Sequence, residues 1–198
     1  MTPFDLSFDY RCPFAKNLHL HVLAALAAGA DFDVTFVPWT LSQGYRAEGA
    51  ADVWDDTAFD ADHLSMCAGI SVRDQQPELF LAAHEALFRA RHEGAVRLVT
   101  LEEVSGVLAP LGVDMKMVAA DIDSRRPHKV IGQSYEEFER YEAFGVPTLV
   151  VGGDAAFVRY MSAPSHDAQE SVKIVERLLH LMASEPDLNE FKHTRQPF

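Results

Sequence analysis

A cysteine followed by proline stands where a short apolar segment gives way to a helical pattern, and this junction constrains the fold most. Residues Pro3 to Phe8 are apolar and aromatic enough for a buried strand. Apolar residues then recur at helical spacing from Phe14 until Gly29, a residue type that commonly ends helices. Pro13 suits the first turn of that helix, where a missing N–H costs nothing. Cys12 is therefore predicted between the end of a strand and the start of a helix.

The next apolar segment predicts a second strand beside the first. Asp31 to Pro38 alternates between apolar and polar residues, and the proline suits its end. Strand, helix and strand in this order predict two parallel neighbours joined by a right-handed crossover. The mixed segment from Trp39 to Asp62 predicts a loop, and its aromatic residues are expected to pack onto the protein: Trp39, Tyr45, Trp54 and Phe59.

The middle of the chain is predicted to be helical from about Asp60 to Asp123. Pro77 opens one helix, which Gly94 closes. Thr100 and Glu103 have the spacing of a capping box, and Asp114 is suited to cap a further short helix. Helices dominate this region, so it is predicted to interrupt the sheet.

The last third of the chain predicts a helix, a hairpin and a final helix. The helix runs from about Pro127 to Tyr141. Gly145 to Gly153 is an apolar strand ending in a glycine turn, and Ala156 to Tyr160 is its expected antiparallel partner. The final helix is predicted from about Asp167 to Ala183.

Length and charge exclude several classes of protein. A chain of 198 residues can form one domain, with or without a sizeable insertion. Its net charge of -13, with no basic cluster, argues against binding to nucleic acid or to an anionic membrane. No apolar run approaches a membrane span, and the N-terminus shows no basic leader. We therefore expect a cytoplasmic protein, in a compartment that keeps thiols reduced.

The position of Cys12 predicts an activated thiol. Free N–H groups at the start of a helix favour the thiolate, and Arg11 and Lys16 are near in sequence. We therefore expect a pKa below the ordinary cysteine value of about 8.5, although Asp9 would oppose this. The alternative is a buried, inert cysteine, which is common for this residue type.

The nine histidines raise the question of a metal site. His84 and His92 are eight positions apart on one predicted helix, which is not the spacing of a chelating pair. Asp60, Asp62 and His63 are expected to form a solvated acidic surface. We predict no metal.

The order of the predicted elements resembles the thioredoxin fold in the form found in the DsbA family. The segment Phe8-Asp9-Tyr10-Arg11-Cys12-Pro13-Phe14 resembles the active-site turn of that family, and Gly145-Val146-Pro147-Thr148 resembles its cis-proline loop. The resemblance spans nearly the whole chain and is closest to small cytoplasmic DsbA-like proteins of bacteria. It implies an α/β thioredoxin fold in which residues 1–55 and 124–198 form the thioredoxin-like domain and residues 56–123 form an all-helical insertion.

The resemblance also implies an active site made from these two segments. Cys12 would be its catalytic residue, and the Val146–Pro147 bond would be cis, with the Val146 backbone facing the Cys12 sulfur. Six residues would contact the substrate or a small thiol: Arg11, Pro13, Phe14, Val146, Pro147 and Thr148.

One departure from the family pattern decides the expected mechanism. The family's redox motif is Cys-x-x-Cys, whereas this chain has Ala15 at the second cysteine position. The second thiol normally resolves the mixed disulfide that the first one forms, and alanine cannot. Another thiol must then release the adduct: a small thiol such as glutathione or mycothiol, a partner protein, or Cys67 if the insertion folds over the site.

Three classes of function are compatible with this pattern. We predict a cytoplasmic thiol-disulfide oxidoreductase with a monothiol mechanism, no tightly bound cofactor, and glutathione or mycothiol as co-substrate. Its partners would be small-molecule or protein disulfides. The second class is a transferase or isomerase dependent on such a thiol, resembling hydroxychromene-carboxylate isomerase, in which the residue at the Cys12 position activates the cofactor sulfur. The third is a non-catalytic binding module, which the presence of Cys12 and Pro13 disfavours. The substrate and the oligomeric state stay open.

Overall fold

The computed structural model describes residues 3–165 and 167–193. Over these residues the chain forms one four-stranded sheet and seven α-helices. The strands are β1 (Pro3–Phe8), β2 (Asp33–Pro38), β3 (Thr148–Val151) and β4 (Asp154–Phe157). The helices are α1 (Pro13–Ala27), α2 (Asp60–Gln75), α3 (Pro77–His92), α4 (Leu101–Leu108), α5 (Met115–Asp123), α6 (Arg126–Glu139) and α7 (Ala168–Ser184). This is the α/β thioredoxin fold that the sequence predicts.

The sheet has the strand order β2-β1-β3-β4, so β1 lies in its interior. β1 and β2 are parallel, as expected for strands joined through the helix α1. β3 is antiparallel to β1, and β4 is antiparallel to β3. The C-terminal end of β1 leads directly into the turn that carries Cys12.

The hairpin between β3 and β4 is tighter than predicted. Gly152 and Gly153 both have positive φ, 61° and 101°. Two such residues close a two-residue turn, and glycine adopts this conformation without steric cost. The partner strand therefore begins at Asp154 and ends at Phe157, so the prediction of Ala156 to Tyr160 is wrong in its bounds.

Helix ends follow the local sequence closely. Gly29 has a φ of 84° just beyond α1, as expected for a helix-ending glycine. Thr100 and Glu103 form both halves of a capping box on α4. Asp114 caps α5 by accepting hydrogen bonds from the backbone N–H groups of Lys116 and Met117. These caps confirm the predicted starts of two helices in the middle of the chain.

The helices α2 to α6 lie between β2 and β3 in the chain and interrupt the sheet. α2 packs against α3, α5 and α6, and α6 also contacts β2. α7 packs along α1 and touches β3. The division at residues 56 and 123 stays a prediction. Within the described ranges, no helix combines the length and the hydropathy needed to cross a bilayer.

The aromatic residues of the loop after β2 behave in two ways. Trp39 and Trp54 are buried, with ring centroids 5.1 and 5.5 Å from that of Tyr135 on α6. Phe59 is half-buried and packs against the core. Tyr45 is 83% exposed at the end of a short 3-10 helix, so the expectation that it packs down is wrong.

A buried chain of hydrogen bonds supports the turn that follows β1. The Ser7 carbonyl oxygen can only accept, so His19 Nε2–H donates to it over 3.0 Å. His84 Nε2–H then donates to His19 Nδ1 over 2.9 Å, and the Tyr10 hydroxyl donates to His84 Nδ1 over 2.7 Å. Burial lowers the pKa of His19 to about 3 and that of His84 well below its ordinary value, so both imidazoles are neutral. The Ser7 carbonyl oxygen, which can only accept, thereby determines the tautomers of both His19 and His84.

Tyr10 can reach the buried histidines because the neighbouring residue of α2 is a glycine, Gly69. A Cβ added at Gly69 would lie 2.5 Å from the Tyr10 hydroxyl oxygen. The Tyr10 side chain is fully buried, and its ring is packed against those of Phe8, His84 and Phe88, which oppose a shift. Gly69 therefore permits the close approach of α2 to the active-site turn.

We predict that Gly69→Ala lowers the free energy of unfolding by about 1–3 kcal/mol, as overpacking of a core does. Gly106→Ala is the matched control, because it also lies in a helix but has nothing within 4 Å of the added Cβ. That control should be neutral or up to about 1 kcal/mol more stable. Urea unfolding measures both, and equal stability of the two variants would contradict the assigned contact.

Candidate active site

The turn between β1 and α1 holds Cys12 through short-range hydrogen bonds. The Cys12 N–H donates to the Asp9 carbonyl oxygen over 2.9 Å, and the Arg11 N–H donates to the Asp9 carboxylate over 2.9 Å. Cys12 is the N-cap of α1, and its Sγ accepts from the Ala15 N–H at 3.5 Å. Pro13 is the first residue of the helix, as the sequence predicts. The sulfur therefore lies at the N-terminus of α1.

The second segment of the site is the loop before β3. The Val146–Pro147 peptide bond is cis. The Thr148 N–H donates to Ser7 Oγ over 2.8 Å, which ties the loop to β1, and Thr148 Oγ1 donates to the Gly145 carbonyl oxygen over 2.7 Å. These bonds hold the Val146 carbonyl oxygen 3.2 Å from Cys12 Sγ, where it accepts a hydrogen bond from the thiol. The expected approach of the two segments is thus observed.

A groove of about 580 Å³ opens above this contact. Tyr45 and Phe144 stand at its walls and are 83% and 73% exposed. The lining residues come from the Cys12 turn, the 3-10 helix after β2, the loop before β3 and the end of β4: Asp9, Arg11, Cys12, Pro13, Phe14, Leu41, Ser42, Tyr45, Phe144, Gly145, Val146, Phe157 and Arg159. The reactive sulfur therefore faces a cleft with aromatic walls.

The predicted site residues divide into two groups. Five of them line the groove: Arg11, Cys12, Pro13, Phe14 and Val146. Pro147 and Thr148 are buried and do not line it. The Pro147 carbonyl oxygen accepts from the Val158 N–H over 3.0 Å, and the Thr148 groups bond within the protein. Pro147 and Thr148 therefore stabilise the loop from the interior of the protein and do not face the groove.

Arg11 lines the groove but is committed to other partners. Its guanidinium donates to the Asp9 carboxylate over 2.7 Å and lies 3.4 Å from Asp62. It also donates to Thr40 Oγ1 over 3.0 Å and to Ser42 Oγ over 3.1 Å. Both its charge and its donors are therefore used within the protein.

Lys16 and His63 also differ from expectation. Lys16, expected to help the thiolate, pairs with Glu93 at 3.5 Å. His63, expected on a solvated surface, is fully buried, and its Nε2 is hydrogen-bonded to Thr40 Oγ1 at 3.1 Å. Among the described residues, no group of three or more His, Cys, Asp or Glu side chains is placed to hold a metal.

Arg159 lines the groove, and the sequence did not indicate it. Its guanidinium carbon lies 4.7 Å from the ring centroid of Phe14 and 5.7 Å from that of Phe157. Both rings and the arginine line the groove. Only the alternation of an extended segment, which places Phe157 and Arg159 on the same side, would have linked these two residues. Their meeting with Phe14 depends on the folded structure.

The pKa of the Cys12 thiol is raised, contrary to the prediction. Burial is the largest cause and favours the neutral form, and the Asp9 charge adds to it. The N–H groups of Ala15 and Phe14 and the charge of Arg159 act in the opposite direction but do not outweigh burial. The Val146 carbonyl also favours the thiol, because it can bond only to a protonated sulfur. The resting sulfur is therefore a protonated hydrogen-bond donor.

Cys67 lies apart from the groove. Its side chain on α2 is fully buried, and burial raises the pKa of its thiol. The charges that act on it belong to Arg125, Asp60, Asp121 and Arg126, none of which lines the groove. Cys67 therefore has the environment of an inert core cysteine.

Comparison with known proteins agrees with this fold. The family model of DSBA-like thioredoxin domains matches residues 4–168. The solved structure of MdbA, a thiol-disulfide oxidoreductase from Actinomyces oris, superposes with a TM-score of 0.61 at 21% identity, covering 88% of this chain and 79% of that one. Oxidoreductase DsbA from Xylella fastidiosa gives a TM-score of 0.55 at 22% identity, covering 92% and 88%. DsbA from Pseudomonas aeruginosa gives 0.57 at 20% identity, covering 93% and 85%. No curated protein matches the chain significantly.

We predict that alkylation of Cys12 by iodoacetamide is slow at pH 7 and rises with a midpoint above that of free cysteine. The direction follows from burial and the Asp9 charge, which favour the thiol. Asp9→Asn should lower the midpoint, because it removes the nearby negative charge and leaves Asp62 as the remaining carboxylate paired with Arg11. Asp33→Asn is the control, since Asp33 pairs with Pro3 at the far end of β1.

Measuring the alkylation rate against pH by intact mass in a Cys67→Ser background isolates Cys12. A midpoint below that of free cysteine would overturn the assigned direction. Equal effects of Asp9→Asn and Asp33→Asn would exclude a local role for the Asp9 charge.

Proposed function

Because this chain belongs to the family of DSBA-like thioredoxin domains, we propose that it is a thiol-disulfide oxidoreductase working through Cys12 alone. A small thiol from solution completes each turnover. The observation that carries this proposal is the Cys12 sulfur in an open groove, one helical turn from a residue that has no thiol, Ala15.

The reaction consists of two thiol-disulfide exchanges. In the first, the Cys12 sulfur loses its proton to solvent and attacks a disulfide R–S–S–R′, forming Cys12–S–S–R and releasing R′–S⁻, which takes up a proton. In the second, a small thiolate attacks the R sulfur of that mixed disulfide, which restores the Cys12 thiolate and forms a new disulfide. Each exchange breaks one S–S bond and forms another, so one turnover converts R–S–S–R′ and one small thiol into the thiol R′–SH and a disulfide of R with the small thiol. The sulfur of the small thiol is oxidised as the R′ sulfur is reduced, and Cys12 returns to its starting state.

The second exchange has no thiol donor within the protein, because Ala15 has no thiol and Cys67 is buried. Ala15 is fully buried, and its contribution to the site is the backbone N–H that Cys12 Sγ accepts. Cys67 is fully buried and outside the groove. The proposal therefore assigns the second step to an external thiol, glutathione or mycothiol, which acts as a co-substrate and not as a tightly bound cofactor.

This scheme assigns the protein to the cytoplasm. The second exchange consumes a reduced small thiol in each turnover, and the cytoplasm maintains such thiols in the reduced form. Its partners in the proposal are the small thiol and a small-molecule or protein disulfide. The open groove and the partial exposure of Cys12 support access of such a disulfide to the sulfur.

One observation favours the second function, a thiol-dependent transferase or isomerase resembling hydroxychromene-carboxylate isomerase. The Cys12 thiol donates a hydrogen bond to the Val146 carbonyl and has a raised pKa. A group that stays protonated can donate instead to the sulfur anion of a bound thiol. The two functions differ in their need for a nucleophile, since serine can replace cysteine as a donor but cannot form a disulfide.

We predict that incubation with glutathione disulfide adds one glutathione to the wild type and none to Cys12→Ser. Cys67→Ser is the matched control and should react like the wild type, because Cys67 is fully buried. Intact mass spectrometry after acid quenching measures the adduct. An equal adduct on Cys12→Ser would sink the proposal, as would its loss in Cys67→Ser.

Ala15→Cys tests the missing second step. The substitution restores the two-cysteine spacing, so a glutathione adduct on Cys12 should be released and replaced by an internal disulfide. Wild-type protein should keep the adduct until a small thiol is added. Release from wild-type protein without added thiol would contradict the external second step.

A further inference from the structure

Two arginines line the groove, Arg11 and Arg159, and they differ in their ion pairs. Arg11 faces Asp9 at 2.7 Å and Asp62 at 3.4 Å, so its charge is balanced within the protein. Arg159 has no carboxylate within ion-pair distance among the residues that the structure describes. The chain has a net charge of -13, yet Arg159 lines the same groove as Cys12 without such a carboxylate partner. Arg159 is therefore the cation that remains available to a ligand in the groove.

Aromatic rings hold Arg159 at the groove. Its guanidinium carbon lies 4.7 Å from the centroid of Phe14 and 5.7 Å from that of Phe157. Phe144, which is 73% exposed, continues this wall with its ring centroid 5.2 Å from that of Phe157. Contact of a guanidinium with ring faces occupies its π surface and leaves its N–H groups for hydrogen bonds. A planar carboxylate is the anion that such a fork of donors fits best.

The position of Arg159 relative to Cys12 suits a small ligand. Phe14 follows Cys12 by two residues in the first turn of α1 and is the ring on which Arg159 rests. The charge of Arg159 acts on the Cys12 thiol. A molecule bonded to the Cys12 sulfur would therefore need to reach only across the Phe14 ring to meet the guanidinium.

We propose that Arg159, held by Phe14 and Phe157, is the carboxylate subsite for the small thiol bound at Cys12. This inference rests on the proposed monothiol function and names its co-substrate class: a thiol that carries a carboxylate, as glutathione does. Mycothiol, an amide-linked sugar conjugate without a carboxylate, lacks the group that Arg159 would bind. The carboxylate takes no part in the exchange, which forms the Cys12–S–S–R bond and releases one thiolate.

Three symmetric disulfides of different charge test this subsite. The anionic probe is 3,3′-dithiodipropionate, the neutral probe is 2-hydroxyethyl disulfide, and the cationic probe is cystamine. The rate of adduct formation at Cys12 is measured by intact mass for the wild type, Arg159→Gln and Arg159→Lys. Arg140→Gln is the matched control, because Arg140 is also an exposed arginine over an aromatic ring, 4.6 Å from the centroid of Tyr141, outside the groove.

The decisive quantity is the ratio of the anionic to the neutral rate, since any change in the thiol pKa alters both rates alike. The usual strength of an exposed ion pair predicts that Arg159→Gln lowers this ratio about 1.5-fold to fivefold. Arg159→Lys should restore part of it, Arg140→Gln should leave it unchanged, and cystamine should show the opposite preference. Because the site is exposed, the effect should shrink at high salt.

Two other outcomes overturn the proposal in distinguishable ways. If all three probes react but the ratio is the same in Arg159→Gln and the wild type, the carboxylate subsite is wrong and the monothiol function stands. If no probe forms an adduct at Cys12, the monothiol function fails and the subsite falls with it.

Discussion

The hydrogen bond from the Cys12 thiol to the Val146 carbonyl joins two segments separated by 134 positions in the chain, and the site depends on it. Neither segment holds the contact alone. The Cys12 turn is shaped by Asp9 and the start of α1, whereas the loop is tied to β1 through the bond between Thr148 N–H and Ser7 Oγ. Ser7 also anchors the buried histidine chain through its carbonyl oxygen. Strand β1 thus supports both halves of the site.

This contact also sets the chemical character of the sulfur. A carbonyl oxygen accepts a hydrogen bond only from a protonated thiol, and burial and the Asp9 charge act in the same direction. The helix N-terminus, which alone would favour the thiolate, is outweighed. Arg11 cannot reverse the balance because Asp9 and Asp62 already compensate its charge. The Cys12 sulfur is therefore accessible, but it is protonated at neutral pH and is expected to react slowly.

Sequence reasoning succeeded where the determinants are local. The strand-to-helix junction at Cys12, the glycine that ends α1 and the capping box of α4 each depend on a few neighbouring residues. It failed where tertiary packing decides the outcome. The sign of the Cys12 pKa shift depends on burial by distant segments, and Arg159 reaches Phe14 only in the folded chain. The start of β4 was misplaced because two successive positive-φ glycines shorten the turn.

Equilibration with glutathione distinguishes a single reactive thiol at Cys12 from an internal disulfide. The protein is equilibrated at a fixed ratio of glutathione disulfide to glutathione, and the oxidised fraction is measured by intact mass before and after a tenfold dilution of total glutathione. A single thiol releases one glutathione per disulfide consumed, so the adduct fraction should not change on dilution. An internal disulfide releases two, so a ratio of oxidised to reduced protein that rises about tenfold on dilution would contradict a single reactive thiol.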